Sequence, residues 1–266
     1  MGFLVRITKP LALLGDFAVA QVADLGNFAL FSAQMVRWVF TDFTRWRLLR
    51  PQLYEVGFRS LPVILFTGAF VGMVLALQSY FQFEAMGRAS WSGAVINLSV
   101  IKELGPVLAG VMLAGRVGGA LAAGLGTMKV TEQIEALETM ALDPVRFLVV
   151  PRFLALVVML PCLVIFADII GILGGLLVGF FSLRLDPYRY MTFSFEFMAW
   201  KDFWTGLVKT FVFAMVISMV GCYMGLKTKG GAEGVGKATT MSVVTSFILI
   251  ILFDCILTGL FYFTQK

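Results

Sequence analysis

The sequence predicts an all-α integral membrane protein in which five transmembrane helices follow an N-terminal amphipathic helix at the membrane interface. Fifty-nine per cent of the 266 residues are apolar and only 14% are charged, whereas about a quarter of the residues of a soluble domain carry charge. Five apolar segments are long enough to cross a hydrocarbon core about 30 Å thick, which needs roughly 20 residues of helix. These two observations exclude a soluble fold.

The five predicted spans cover residues 60–82, 93–125, 150–182, 202–225 and 241–264. The second and third are longer than one crossing requires, so we expect tilt, a kink or an extension beyond the bilayer. Residues 60–266 therefore form one transmembrane domain, and residues 1–59 form a separate N-terminal region.

Lysine and arginine predict the orientation, because they are enriched in cytoplasmic connections. Alternate connecting segments carry thirteen of them: Arg6, Lys9, Arg37, Arg45, Arg47, Arg50, Arg59, Lys129, Arg146, Arg152, Lys227, Lys229 and Lys237. The opposite side carries five: Arg88, Arg184, Arg189, Lys201 and Lys266. The N-terminus is therefore predicted in the cytoplasm and the C-terminus outside.

Residues 10–40 are apolar, but a polar stripe runs along them. Asp16, Asp24, Asn27 and Gln34 fall within one narrow sector at 100° per residue. Such a stripe is typical of a helix that lies in the plane of the interface. The alternative is a sixth span, which would fit the charge distribution less well.

Small residues recur at every fourth position in two predicted spans. In the second span they are Gly110, Ala114, Gly118, Ala122 and Gly126, and in the third they are Gly171, Gly175 and Gly179. These ridges allow close helix packing in lipid, either within the chain or between chains. Since five spans are few to enclose a transport path, we expect a homodimer with the path at its interface.

A short amphipathic cytoplasmic helix is predicted between the second and third spans, at about residues 127–142. Its apolar face would hold Val130, Ile134, Leu137 and Ala141, and its acidic face Glu132, Glu135 and Glu138. Asp143 and Pro144 end it, because proline disfavours helical geometry in the preceding residue. Anionic headgroups would repel the acidic face, which favours a protein partner over lipid.

The segment KELGPVLAGVMLAGRVGGALAAGLGTMKVTEQIEALETMALDPVRFLVVPR, residues 102–152, resembles the MlaE/YrbE permeases, which are subunits of lipid-transporting ABC systems. In that family the stretch GTMKVTEQIEAL is similar to the coupling helix that docks into a cytoplasmic ATPase. The resemblance therefore assigns ATPase coupling to Thr131, Glu132, Gln133, Glu135 and Glu138.

The resemblance also implies the protein's partners and cargo. A homodimeric permease would bind two ATPase subunits, a small STAS-domain protein on the cytoplasmic side and a periplasmic ring of MCE-domain proteins. It would exchange phospholipid between the bacterial inner membrane and the MCE partner, and so maintain outer-membrane lipid asymmetry. The N-terminus would be cytoplasmic and the C-terminus periplasmic, with ATP and magnesium held by the ATPase and no cofactor in this chain.

The candidates for ionisable residues at mid-bilayer are Lys102, Glu103, Arg116, Asp168, Lys209 and Asp254. Each charge at mid-bilayer costs about 2.5 to 3.5 kcal/mol on insertion scales, so each needs a partner, a cavity or a function. One interpretation is a lipid-headgroup site in which Lys102 and Lys209 face phosphate. The other is a set of interhelical ion pairs, such as Glu103 or Asp254 with Lys209.

The resemblance favours the lipid site for Lys102, Glu103, Lys209 and Asp254, because the corresponding residues of the family line the lipid pocket. Pro106 strengthens the prediction, since it leaves the carbonyl of Lys102 without its helical donor and can open the helix there. Arg116 is predicted to be structural, with Asp168 as its candidate partner.

Gln78 and Tyr80 lie at the outer end of the first span, within the aromatic stretch SYFQFEAMG. Aromatic residues at this depth most often form an interfacial belt. We include both residues in the predicted lipid-binding set, as part of a rim through which lipid would leave.

Catalysis, metal binding and nucleic-acid binding are not expected. The chain has no histidine and no metal-ligand spacing among its three cysteines, and its basic residues form no single patch. No phosphate-binding loop ends in Lys-Ser or Lys-Thr, and residues 228–240 are predicted to be a flexible, glycine-rich cytoplasmic turn. The alternatives to an ATP-driven permease are an ion-coupled carrier and a non-transporting scaffold.

Overall fold

A computed structural model describes residues 2–41, 46–87, 91–181, 183 and 187–264. This part of the chain is helical and contains no strand. Its α-helices are α1 (Gly2–Thr41), α2 (Trp46–Val56), α3 (Leu61–Glu84), α4 (Ser92–Ser99), α5 (Gly105–Leu113), α6 (Gly119–Val130), α7 (Gln133–Thr139), α8 (Val150–Phe181), α9 (Pro187–Phe197), α10 (Trp200–Leu226) and α11 (Gly231–Thr264). Arg45, Arg88, Arg184 and Lys266 of the charge count, and the side chain of Asp16, lie outside the described residues.

Within the described residues, five helical stretches are long and apolar enough to cross a membrane, which confirms the predicted number of spans. They run over Trp46–Glu84, Ser92–Val130, Val145–Phe181, Trp200–Leu226 and Gly231–Phe263. The helix α1 is not among them. Since α11 already begins at Gly231, the prediction of a flexible turn at residues 228–240 is wrong for most of that segment.

The second span contains two π-helical segments, Val100–Leu104 and Ala114–Gly118, between its α-helical parts. The first one directly precedes Pro106. Proline has no N–H to donate, and Gly105 donates its own N–H to the carbonyl of Val100, five residues earlier. The opening predicted at Pro106 therefore takes the form of a π turn, a feature frequent at functional sites.

Glycine allows α3 and α8 to pack with their backbones in contact. A Cβ atom placed on Gly72 would lie 1.8 Å from the carbonyl oxygen of Gly171, and one on Gly174 would lie 2.6 Å from that of Ala69. The ridge of the second span packs inside the chain as well, with Gly118 against Ile217 of α10. Both small-residue ridges thus serve packing within the chain.

The helix α1 crosses one end of the bundle. Asp24 of α1 forms an ion pair with Lys227, which follows the fourth span, at 2.6 Å. Further along α1, Gln34 and Trp38 donate to the carboxylate of Asp143, before the third span, at 3.0 and 2.8 Å. Since these contacts lie roughly 15 to 20 Å apart along the helix, α1 bridges two loops at one end, as expected of an interfacial helix.

The helix predicted at residues 127–142 is shorter than expected. The second span continues to Val130, and α7 comprises only Gln133–Thr139. Glu132 and Ala141 adopt left-handed backbone angles, with φ of 58° and 57°, so each stands at a turn outside α7. Of the predicted apolar face, Ile134 is buried, and Val130 belongs to the preceding helix.

Candidate functional site

Three charged residues from three spans meet within the bundle, and we call them the charged triad: Glu103, Lys209 and Asp254. The Lys209 ammonium donates to Oε2 of Glu103 and lies 2.9 Å from Oδ1 of Asp254. It also donates to Oγ1 of Thr258 at 2.7 Å, and this hydroxyl donates in turn to Glu103. The polar network therefore joins the π segment, α10 and α11.

The three residues of the triad lie at one level along the bundle. Glu103 is eleven residues from the start of the second span, Lys209 is nine from the start of α10, and Asp254 is ten from the end of α11. At 1.5 Å per residue, each is about 15 Å from the same end of the bundle. This depth is close to the middle of a hydrocarbon core about 30 Å thick.

The lysine of the triad is the most deeply buried member. Its side chain is only 1% exposed, whereas those of Glu103 and Asp254 are 39% and 22% exposed. The side chains that remain partly exposed at the site therefore belong to the two acidic residues, and the triad holds one positive charge for two negative charges. The ammonium of Lys209 is engaged by Glu103, Asp254 and Thr258 within the chain, and its contact with a lipid phosphate stays a prediction.

The ion pairs foreseen between Lys209 and the two carboxylates are thus present, and a partly exposed face remains available to a ligand. Because the triad has two carboxylates for one ammonium group, it favours a ligand that carries a hydrogen-bond donor or a positive charge. Thr258 belongs to the same network, and we did not predict it. Its position one helical turn after Asp254 is the only indication of it in the sequence.

Lys102, the neighbour of Glu103, forms a separate ion pair. Its ammonium lies 2.6 Å from Oδ1 of Asp202, in the first turn of α10. Asp202 also accepts the N–H of Ala199 at 3.1 Å and is buried. The side chain of Lys102 is still 36% exposed, so it is the more accessible cation at this level of the second span. We did not predict Asp202.

The predicted contact between Arg116 and Asp168 is absent. Arg116 donates instead to the backbone carbonyl of Arg59, which supports its structural assignment. Asp168 is only 6% exposed, and its Oδ1 atom has no hydrogen-bond partner among the described residues. It faces an apolar cavity of about 290 Å³ lined by Trp200 and Phe203.

Gln78 and Tyr80 lie away from the charged triad within one chain. Both belong to α3, which packs against α8, α4 and α5. Tyr80 donates to Glu84 one turn further on, at 3.0 Å, and Gln78 is exposed. Their place in a lipid path stays a prediction.

The predicted coupling residues stand at the opposite end of the second span. Thr131, Glu132, Gln133 and Glu138 are exposed, whereas Glu135 bonds to Lys129 within the chain. The hydrogen bond from Lys129 holds the pKa of Glu135 below its usual range, so this carboxylate is charged at neutral pH. The acidic groups free to meet a partner are therefore Glu132 and Glu138.

Five spans around a charged network at mid-bilayer define a polytopic membrane protein with a polar site in its core. The family model "Permease MlaE" matches residues 49–260. The chain belongs to the MlaE permease family, whose members are membrane components of ABC transporters.

Several relatives are similar over most of their length. A probable ABC transporter permease protein of Rickettsia conorii is 44% identical over 94% of this chain and 96% of its own. The intermembrane phospholipid transport system permease protein MlaE of Haemophilus influenzae is 37% identical over 81% of this chain and 83% of its own. The chloroplastic protein trigalactosyldiacylglycerol 1 of Arabidopsis thaliana is 33% identical over 88% of this chain and 67% of its own.

Proposed function

We propose that this chain is the permease of an ATP-driven phospholipid transporter of a bacterial inner membrane. It exchanges lipid with a periplasmic MCE-domain partner and thereby maintains outer-membrane lipid asymmetry. The charged triad is its lipid-headgroup site. The observation that carries the proposal is a polar face at mid-bilayer in a chain related to a phospholipid transport permease.

The headgroup contacts follow from the exposed charges. The carboxylates of Glu103 and Asp254 accept hydrogen bonds from an ammonium or hydroxyl group of the headgroup. Lys102 is accessible for the phosphate, since a charge-assisted contact to phosphate is stronger than a neutral one. The apolar surfaces of the surrounding helices hold the acyl chains.

A homodimer would complete the site. In one chain alone, the exposed parts of Glu103 and Asp254 would face hydrocarbon, at a cost of several kcal/mol for a charge at mid-bilayer. The fifth span is also the least buried, with 11% of its most apolar stretch covered. A second copy packed along α11 encloses the carboxylates in a shared polar path and covers this helix.

The remaining partners bind at the two ends. Separate ATPase subunits, which hold ATP and magnesium, dock on α7 and the exposed Glu132 and Glu138, and a STAS-domain protein accompanies them. In the orientation predicted from the charge count, this end lies in the cytoplasm and the start of α10 lies at the periplasmic side, where the MCE-domain ring receives lipid.

Replacing Glu103 by glutamine tests the headgroup site. We expect the lipid that co-purifies with the dimer to fall at least severalfold, because an amide is a poorer acceptor for an ammonium group than a carboxylate. Lipid per dimer is measured by mass spectrometry, together with the thermal unfolding midpoint. Glu55→Gln, a surface residue away from the triad, is the control.

The outcome separates cargo binding from packing. Normal lipid content with a sharply lowered midpoint would show that Glu103 only holds helices together. Lipid loss with a nearly unchanged midpoint supports the site, since the buried Lys209 keeps Asp254 as its ion-pair partner.

Cysteine labelling in a cysteine-free background tests the orientation. Cysteines introduced at Ala20 and Gln133 should react only with reagent supplied from the cytoplasm, and one at Glu196 only from the periplasm. Labelling of the Ala20 position from outside would reject a cytoplasmic α1, whatever the result at the other two.

Charge reversal at Glu132 and Glu138 tests ATPase coupling. The double variant Glu132→Lys/Glu138→Lys should lower ATPase retention about tenfold or more. The two new lysines would repel the basic groups of an ATPase surface that binds the acidic residues. Pull-down of the ATPase with the tagged permease measures retention. The control is Glu55→Lys, and unchanged retention in the double variant would remove the proposed role.

A further inference from the structure

An amphipathic pocket lies at one end of the bundle, between α1, the end of α10 and the start of α11. We call it the basic pocket. Its volume is about 690 Å³. The lysines on its walls are Lys227, Lys229 and Lys237, and apolar side chains including Leu25 and Met241 line the rest. Lys227 follows Lys209 by eighteen residues, or about 27 Å of helix, so the two sites are separate.

The charge on the basic pocket is positive. Among the residues described around it, the one acidic wall residue is Asp24, which forms an ion pair with Lys227 at 2.6 Å. Lys237 contacts Glu233 one turn earlier, where both side chains are more than three-quarters exposed. Such an exposed contact is weak. Lys229 makes no ion pair with any residue that the structure describes, so an anion would meet at least two available ammonium groups.

The apolar wall is exposed as well. Leu25 and Met241 are 68% and 57% exposed although they face the pocket. An inorganic anion would satisfy the lysines and leave these side chains uncovered. An occupant with a negative head and an apolar tail covers both.

We propose that the basic pocket binds an anionic phospholipid of the cytoplasmic leaflet, with its phosphate at Lys229 and Lys237 and an acyl chain along Leu25 and Met241. Basic pockets between membrane helices on the cytoplasmic side are suited to such headgroups. The assignment of the leaflet rests on the orientation proposed above. The lipid would join α1 to α11 and is distinct from the cargo at the triad.

The test measures lipid binding to the full-length chain by native mass spectrometry in detergent micelles. Dioleoyl phosphatidylglycerol is titrated against dioleoyl phosphatidylcholine. The wild type should bind one phosphatidylglycerol per chain in preference. Lys229→Gln/Lys237→Gln should bind it roughly 25-fold more weakly, because each basic residue near a membrane surface contributes about a factor of five.

Two further variants secure the interpretation. Lys201→Gln removes a charge at the other end of α10 and should leave binding unchanged. Ala238→Trp fills the pocket without removing a charge and should abolish binding, which provides a result even if the double lysine variant folds poorly.

Several outcomes would overturn the proposal. They are equal binding of the two lipids, retained phosphatidylglycerol preference in both pocket variants, and displacement of the lipid by millimolar inorganic phosphate alone. Glu103→Gln should leave this binding intact, so failure of the triad as the cargo site and failure of the basic pocket are distinguishable. If a protein rather than a lipid occupied the basic pocket, the chain would show no preference between the two lipids.

Discussion

Replacing Lys209 by methionine is expected to destabilise the protein by about 3 to 5 kcal/mol, the usual cost of removing one partner of a buried ion pair. Lys209 is 1% exposed and is the only cation of the triad. Its loss leaves the carboxylates of Glu103 and Asp254 in mutual repulsion at mid-bilayer. A strongly lowered thermal unfolding midpoint of the purified variant is the measurement.

Neutralising the other two members should restore much of this loss. We expect Lys209→Met combined with Glu103→Gln and Asp254→Asn to unfold well above the single variant, since no uncompensated charge remains. Lys201→Met, an exposed residue of the same helix, is the matched control and should unfold like the wild type. A Lys209→Met protein as stable as this control would mean that the triad contributes nothing to helix packing.

Replacing Gly72 by alanine should have the second largest effect, a destabilisation of roughly 3 kcal/mol. The added Cβ would lie 1.8 Å from the carbonyl oxygen of Gly171. The obstacle is backbone, so α3 and α8 must separate along their contact, and overpacking of a well-packed interior costs about 1 to 3 kcal/mol or more. The unfolding midpoint of the purified variant, in the same detergent as the wild type, measures the loss.

Gly124→Ala is the matched control for Gly72→Ala. A Cβ at Gly124 meets nothing within 4 Å, and alanine favours a helix over glycine by about 1 kcal/mol. This variant should be as stable as the wild type or slightly more so. Equal midpoints for the two alanine variants would contradict the close contact between α3 and α8.

Hydropathy made the number of spans predictable, because about 20 apolar residues per crossing is a strong constraint. The boundaries were less predictable. The glycine-rich segment at residues 228–240 suggested a turn from local propensity, yet it continues α11 as helix from Gly231. Glycine lowers helix propensity only by about 1 kcal/mol per residue, so glycine residues alone do not exclude a helix.

The candidate site was predictable in its residue types and less so in its pairings. The rarity of charges in membranes singled out Lys102, Glu103, Lys209 and Asp254. Which charge meets which depends on helix rotation. Pro106 indicated an opening of the helix, but not the change of rotation that the π turn at Val100–Leu104 brings. For this reason Asp202 was missed as the partner of Lys102, and Arg116 was assigned the wrong contact.

The two π segments of the second span allow the rotation of one part of the span relative to the next to change. A π turn holds about one residue more than the α turn it replaces, and one residue corresponds to about 100° of rotation and 1.5 Å of rise. Rewinding Val100–Leu104 to regular pitch would turn Glu103 away from Lys209 relative to the rest of the span. Rewinding Ala114–Gly118 in the same way would rotate the part of the span that precedes Ala114 relative to α7. The second span therefore has two positions, the two π segments, at which the rotation of the helix about its axis can change. The rotation at each position sets which side chains at one end of the span face their partners when the other end is held in place.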